Sequence, residues 1–190
     1  MILPIVAYGD PILRQKAIEV NMNEAFLPAL INDMFETMYN ANGVGLAAPQ
    51  VGYSLRVFVV DPESNQKNNE SRDSQKIFIN PVLIQEEGGF WEYEEGCLSI
   101  PGIRKNVSRK SVIIIQYTDF NTGERKIEKF EGLIARIIQH EYDHLEGKLF
   151  IDYLTPLQKK LLKSKLTDIS KGIVQADYKM RFYLSRNRIR

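Results

Sequence analysis

The sequence predicts a single domain that mixes helices with antiparallel β-structure, and three observations point there. Residues 111–118 are strongly β, residues 119–123 make a turn, and residues 124–130 alternate back as a hairpin partner. A helical stripe of apolar side chains runs through Phe26, Leu27, Leu30, Ile31, Met34, Phe35 and Met38. At 190 residues, with 44% hydrophobic and 26% charged side chains, the chain can bury one sizeable core and has ordinary globular composition.

Charge and leader content narrow the function classes. A net charge of +1 gives no global field toward DNA or a membrane surface. The first ten residues lack a basic start and are interrupted by Pro4, so they read as neither signal peptide nor spanning segment. No apolar run approaches the ~20 residues that a bilayer requires. The single cysteine, Cys97, rules out an internal disulfide and suits a reducing cytoplasm.

The elements follow in order. Gly9-Asp10-Pro11 is a turn signal that can also start a short helix. The striped helix spans about 23–40, but Pro28 belongs in its first turn, which moves the start toward Leu27. Gly43-Val44-Gly45-Leu46-Ala47-Ala48-Pro49-Gln50 reads as a tight loop whose small residues let another backbone approach. It is not a phosphate loop, because no Gly-Lys-Ser/Thr follows. Residues 55–60 form a strand, and residues 61–76 a polar surface loop. Residues 77–84 resume a strand around Asn80-Pro81, which suits an edge or a bulge. Phe90, Trp91 and Tyr93, set in the acidic stretch 86–95, read as core or strand-face aromatics.

After the hairpin, residues 131–146 read as a mostly buried helix with Ile134, Ile137 and Ile138 inside and Gly147 as its stop. Thr155-Pro156-Leu157-Gln158 opens a last helix to about Lys171-Gly172 through a capping box. Residues 178–190 carry five basic and no acidic side chains, a solvated tail or a contact for an anionic partner such as RNA. The chain shows no internal repeat.

The helix at 131–146 carries the only two histidines, His140 and His144, four residues apart with Glu141 between. Helical geometry puts both imidazoles on one face, about 6 Å apart along the axis, where they can grip one metal ion. Glu141 then sits beside the ion, where a general base is needed. Adding Cys97 assigns every Cys and His of the chain to one site. Three protein ligands leave a fourth tetrahedral position open, as in catalytic rather than structural sites, unless a carboxylate closes it. A divalent ion there lowers the pKa of bound water from ~16 toward ~7. Gln50 and the backbone N–H of Leu98 can stabilise an oxyanion if the loops converge. The residues alone reach metal-assisted hydrolysis of an amide or ester and stop there.

Three blocks, Gly43 to Gln50, Glu95-Gly96-Cys97-Leu98-Ser99 and Gln139-His140-Glu141-Tyr142-Asp143-His144-Leu145, together resemble the peptide deformylase family. The resemblance extends to about Leu154. It implies an α+β fold: mixed, largely antiparallel sheets packed around a central helix carrying the HExxH motif, with an additional C-terminal helix. Residues 1–172 would be the catalytic domain and 173–190 a basic tail.

The implied activity removes the N-formyl group from the N-terminal formylmethionine of nascent polypeptides in the cytoplasm. The implied metal ligands are Cys97, His140 and His144, holding Fe(II), with Zn, Ni or Co as substitutes. Glu141 is the implied base and acid, with Gln50 and the Leu98 amide as the oxyanion pocket. Leu133 and Ile137 would line the methionine pocket, and the backbone of Val44 and Gly45 would pair with the substrate peptide. Arg109 would partner Asp143 and brace the helix. Some relatives dock on the ribosome through a C-terminal element, a use open to the basic tail. Two rivals stand beside this reading. A zincin-type endopeptidase would need a ligand downstream of His144, and a metal-stabilised binding domain would not need Glu141.

Overall fold

The computed structural model describes residues 1–64 and 74–183. In chain order these residues form β1 (Ile5–Val6), α1 (Leu27–Asn40), β2 (Gly45–Ala47), β3 (Val57–Val60), β4 (Lys76–Cys97) and β5 (Ile100–Thr118). They continue with β6 (Arg125–Glu131), α2 (Gly132–Leu145), α3 (Pro156–Ser170) and β7 (Met180–Arg181). Strands β2 to β6 make one antiparallel sheet in sequential order, and β1 pairs with β7 in a separate parallel ribbon. The fold is therefore α+β, as expected.

Strand β3 is apolar throughout because both its faces are covered. Phe58 and Val60 join Ala135, Ile137 and Ile138 of α2, with Phe58 stacked on Phe78 at 4.6 Å. Val57 and Val59 face the other way, toward Leu27, Leu30, Ile31 and Met34 of α1. Helix α1 starts at Leu27 with Pro28 in its first turn, where the missing N–H costs nothing. A third cluster gathers Leu162, Leu166 and Ile169 of α3 against Phe150, Ile100 and Ile103. Helix α2 is thus held by the sheet along one side and by the segment leading into α3 beyond it.

Asn80 lies at a bulge between Ile79 and Val82, with φ of 49°. Its side chain replaces a strand partner: Oδ1 accepts from the Val20 N–H and Nδ2 donates to the Val20 carbonyl, both at 2.9 Å. This strand lies inside the sheet, so Pro81 is tolerated by the bulge and not by an edge.

Two expectations change. Strand β5 begins at Ile100 and not near residue 111, because its polar first half pairs with the acidic stretch of β4. Glu95 faces Lys105, a charge-matched pair, and Trp91 faces Arg109 across the ladder, pairings that alternation of apolar residues cannot reveal. The segment after α3 is not a solvated tail as far as Phe182. Met180 and Arg181 pair with Ile5 and Val6, while Val174, Met180 and Phe182 pack on the third cluster. Residues 184–190 of the basic tail and 65–73 of the polar loop lie outside the described residues. Among the described residues, no helix is long and apolar enough to cross a membrane.

Candidate metal centre and cleft

Cys97 is the last residue of β4, directly before the turn Leu98-Ser99 that leads into β5. His140 and His144 project from successive turns of α2. The sulfur and one nitrogen of each imidazole all lie within 4.8 Å of one another, and Cys97 Sγ is 3.4 Å from His144 Nε2. A thiolate and two imidazoles form a donor set suited to Zn or Fe, so these residues fit the implied ion. Among the described residues no carboxylate joins the group.

The ring orientations are fixed from outside. His140 Nδ1 lies 2.9 Å from Glu95 Oε2, which turns Nε2 toward the centre. The same ring stacks on Phe150 at 6.2 Å between centroids. Burial works against charge on both histidines. At His140 the hydrogen bonds accepted by Cys97 and Glu95 overcome it and raise the pKa, whereas His144 stays well below its ordinary value.

Glu141 is 4% exposed. Its Oε2 has no hydrogen-bond partner among the described residues, and burial pushes its pKa to about 7. The carboxyl lies against Gly45 and faces a cleft of about 660 Å³. A larger cavity, about 850 Å³, lies between α3 and the turn at Pro11–Arg14, and no proposed site residue lines it.

Gln50 enters from the 3₁₀ turn Ala48–Val51. Its Oε1 accepts from the Ala47 N–H at 2.9 Å, so the amide orientation is fixed by its partners. Nε2 then points to Cys97 Sγ at 3.4 Å and Ser99 Oγ at 3.3 Å. Leu98 lies in the same turn, and its carbonyl accepts from the Tyr178 hydroxyl at 2.8 Å. The structure therefore brings Gln50 and Leu98 together beside the sulfur.

Val44, Gly45, Leu133 and Ile137 all line the cleft. Ile137 is buried, while Leu133 is 43% exposed at the mouth. Strand β2 is an edge of its sheet, so it can accept an added strand. The Val44 carbonyl already accepts from the Asp61 N–H at 2.9 Å. Alternation along the strand then turns the polar groups of Gly45 toward the free edge.

Arg109 donates to Asp143 at 2.6 Å, and Asp143 also accepts from the Tyr153 hydroxyl at 3.0 Å. Sequence reasoning missed the centre of this network, Glu95. It receives Nε and Nη2 of Arg109 at 2.7 and 3.0 Å, Nη1 of Arg136 at 2.9 Å, and His140. Burial raises the Glu95 pKa, but the hydrogen bonds from His140 and Arg109 outweigh it and hold the carboxylate well below its usual range. The available signal was its place two residues before Cys97; which of the neighbouring acids turns inward was not readable. Tyr153, Arg136 and Tyr178 gave no sequence signal.

Residues 2–160 match the family model described as polypeptide deformylase. The peptide deformylase of Christiangramia forsetii is 52% identical over 190 residues, covering 96% of each chain. That of Cytophaga hutchinsonii is 50% identical, covering 98% of this chain and all of its own. Among solved structures, a peptide deformylase from Plasmodium falciparum superposes with a TM-score of 0.81 at 39% identity, covering 88% of this chain and 95% of that one. One from Legionella pneumophila gives 0.79 at 40% identity, covering 91% and 98%.

Proposed function

The chain belongs to the peptide deformylase family, and from that premise we infer how its residues divide the reaction among them. The enzyme is a hydrolase that removes the N-formyl group from the N-terminal formylmethionine of new polypeptides and releases formate. We assign Cys97, His140 and His144 as the ligands of one divalent ion, Fe(II) in the cell, with Zn, Ni or Co as replacements. When bound, the ion supplies Lewis acidity to water and to the formyl carbonyl.

Glu141 takes a proton from the attacking water as its oxygen bonds to the formyl carbon. The negative charge that gathers on the carbonyl oxygen meets the Gln50 side-chain N–H and the Leu98 backbone N–H. Glu141 then delivers its proton to the amine nitrogen as the C–N bond breaks, leaving formate and a free N-terminus. Ile137 and Leu133 receive the methionine side chain, and the free edge at Gly45, next to Val44, holds the peptide extended. Arg109 and Asp143, joined by Glu95, keep α2 and the His140 ring in register for this work.

We read the chain to Tyr183 as one catalytic domain acting in the cytoplasm on nascent chains. In this reading the basic tail, residues 178–190, offers a contact to the ribosome. The observation carrying the residue assignment is the meeting of Cys97, His140 and His144 beside a buried Glu141. The test is formate release from a formyl-Met peptide by anaerobically purified protein, with metal analysis of the same sample. The assignment requires Glu141→Ala to keep the metal and lose activity by ~10²–10⁴-fold. Retained deformylation in that variant, or casein cleavage by the wild type, overturns it.

A further inference from the structure

Both backbone carbonyls of the turn after Cys97 are held by the ribbon made from the two ends of the described chain. The Ser99 carbonyl accepts from the Tyr8 N–H at 2.8 Å, just after β1. The Leu98 carbonyl accepts from the Tyr178 hydroxyl at 2.8 Å, just before β7. The ribbon itself is fixed by Ile5 N–H to the Lys179 carbonyl at 2.8 Å and Ala7 N–H to the Arg181 carbonyl at 2.9 Å. Ile5, Val6 and Ala7 are all buried at about 1% exposure or less, so this anchor sits in the core and does not fray at the surface. Gln175, Ala176, Asp177 and Tyr178 also line the catalytic cleft, so the segment entering β7 is one of its walls.

We propose that Tyr178 is a positioning residue for deformylation, clamping the Leu98-Ser99 turn so that the Leu98 N–H stays aimed at the developing oxyanion. The turn has only two residues between paired strands, since Cys97 faces Ile100 in the ladder. The tied Leu98 carbonyl fixes the Leu98–Ser99 peptide plane, and with Cys97 held in the ladder on the other side, the Cys97–Leu98 plane that carries the Leu98 N–H is left little freedom. The phenol contributes no proton to the reaction and touches no reacting atom. It acts by holding the peptide unit adjacent to the one that carries the Leu98 N–H, where a misplacement of about 1 Å can cost ~10²-fold in rate. This proposal rests on the assignment of the Leu98 amide to the oxyanion pocket.

Tyr178→Phe removes one hydroxyl and keeps the packing. Wild type and variant, both metal-loaded, are compared for kcat and KM on a formyl-Met peptide and for amide hydrogen exchange at Leu98 and Ser99. The expected result is a kcat lowered ~10–100-fold with KM within about two-fold. Exchange at the two turn amides should accelerate, with exchange in α2 and the metal content unchanged. Unchanged exchange together with unchanged kcat refutes the clamp and leaves the Leu98 assignment standing. Faster exchange with unchanged kcat refutes the Leu98 assignment itself and with it the catalytic use of the clamp. A loss confined to KM, or one accompanied by faster exchange throughout α2 and β1, overturns the proposal by making Tyr178 a binding or a general packing residue.

Discussion

Gly45 lies flat against the carboxyl of Glu141: a methyl group added there would sit 2.5 Å from Oε1 and 2.8 Å from both Cδ and Cγ. The edge strand that is to hold the substrate and the proposed base are thus packed as one unit. Gly45→Ala must push Glu141 aside, since the contact reaches back along a buried side chain to Cγ. The expected outcome is a fall of ~10²-fold or more in kcat/KM with the metal retained. Overpacking should cost about 1–3 kcal/mol of stability. Steady-state kinetics, metal analysis and a urea melt check all three, and near wild-type kcat/KM would show that the carboxyl position is not critical.

The burial of Glu141 also fixes a pH dependence. Its pKa is raised from the ordinary 4.5 to about 7, chiefly by desolvation. A group raised in the folded state favours folding below its unfolded value and loses that contribution as pH rises through the folded one. In metal-free protein, Glu141→Gln should therefore be more stable than wild type above pH ~7, by about 1–3 kcal/mol. The difference should vanish as pH falls to ~4.5. Urea unfolding of both proteins at pH 5 and pH 8 measures it, and equal stability at pH 8 would contradict it. The same substitution should lower deformylation by ~10²–10⁴-fold, a stability gain exchanged for catalysis.

The parts of this molecule legible in the sequence are those written in apolar periodicity or in scarce residue types. The stripe of α1, the hairpin around residues 119–123 and the capping box at Thr155 all emerged as expected, because each is a local signal. Cys97, His140 and His144 were nameable because the chain has no others of their kind. The first half of β5 was not legible, since Lys105 and Arg109 pair with acids and aromatics across the ladder and leave no alternation. Glu95 was hidden for a related reason: it is one acid among several in residues 86–95, and only long-range partners on β5 and α2 draw it inward. Tyr178 lies 80 residues from the carbonyl it binds, a distance over which sequence pattern carries no information.

Glu95 is the carboxylate on which two buried guanidiniums and one imidazole converge, and its loss should be felt twice. Glu95→Gln leaves Arg109 and Arg136 short of a buried counter-charge, a change expected to cost about 3–5 kcal/mol. It also weakens the acceptor that orients His140, for which a 10- to 100-fold loss of metal affinity (order of magnitude) is expected. Because the folded-state pKa is depressed, the wild-type contribution is present above ~4.5 and lost as pH falls below it. The gap between wild type and variant in urea melts should accordingly be widest at neutral pH and narrow in acid. A gap independent of pH would mean that lost packing, not charge, is responsible.

Removing the ion should loosen the molecule at one place. Cys97 ends the long strand β4 and the histidines sit on α2, so the ion would join residues more than forty positions apart in the chain. A ligand that binds only the folded state stabilises by RT ln(1 + [L]/Kd), or ~2.7 kcal/mol at a hundred-fold excess over Kd. For a chain of this size that corresponds to a Tm shift of ~5–10 °C on chelation. Cys97→Ser, which weakens the softest ligand, should show a smaller shift or none, and its melt should already resemble that of the chelated wild type. Calorimetry with and without chelator on the two proteins distinguishes this from nonspecific metal effects. A shift of equal size in both would place the stabilising ion somewhere other than on Cys97, His140 and His144.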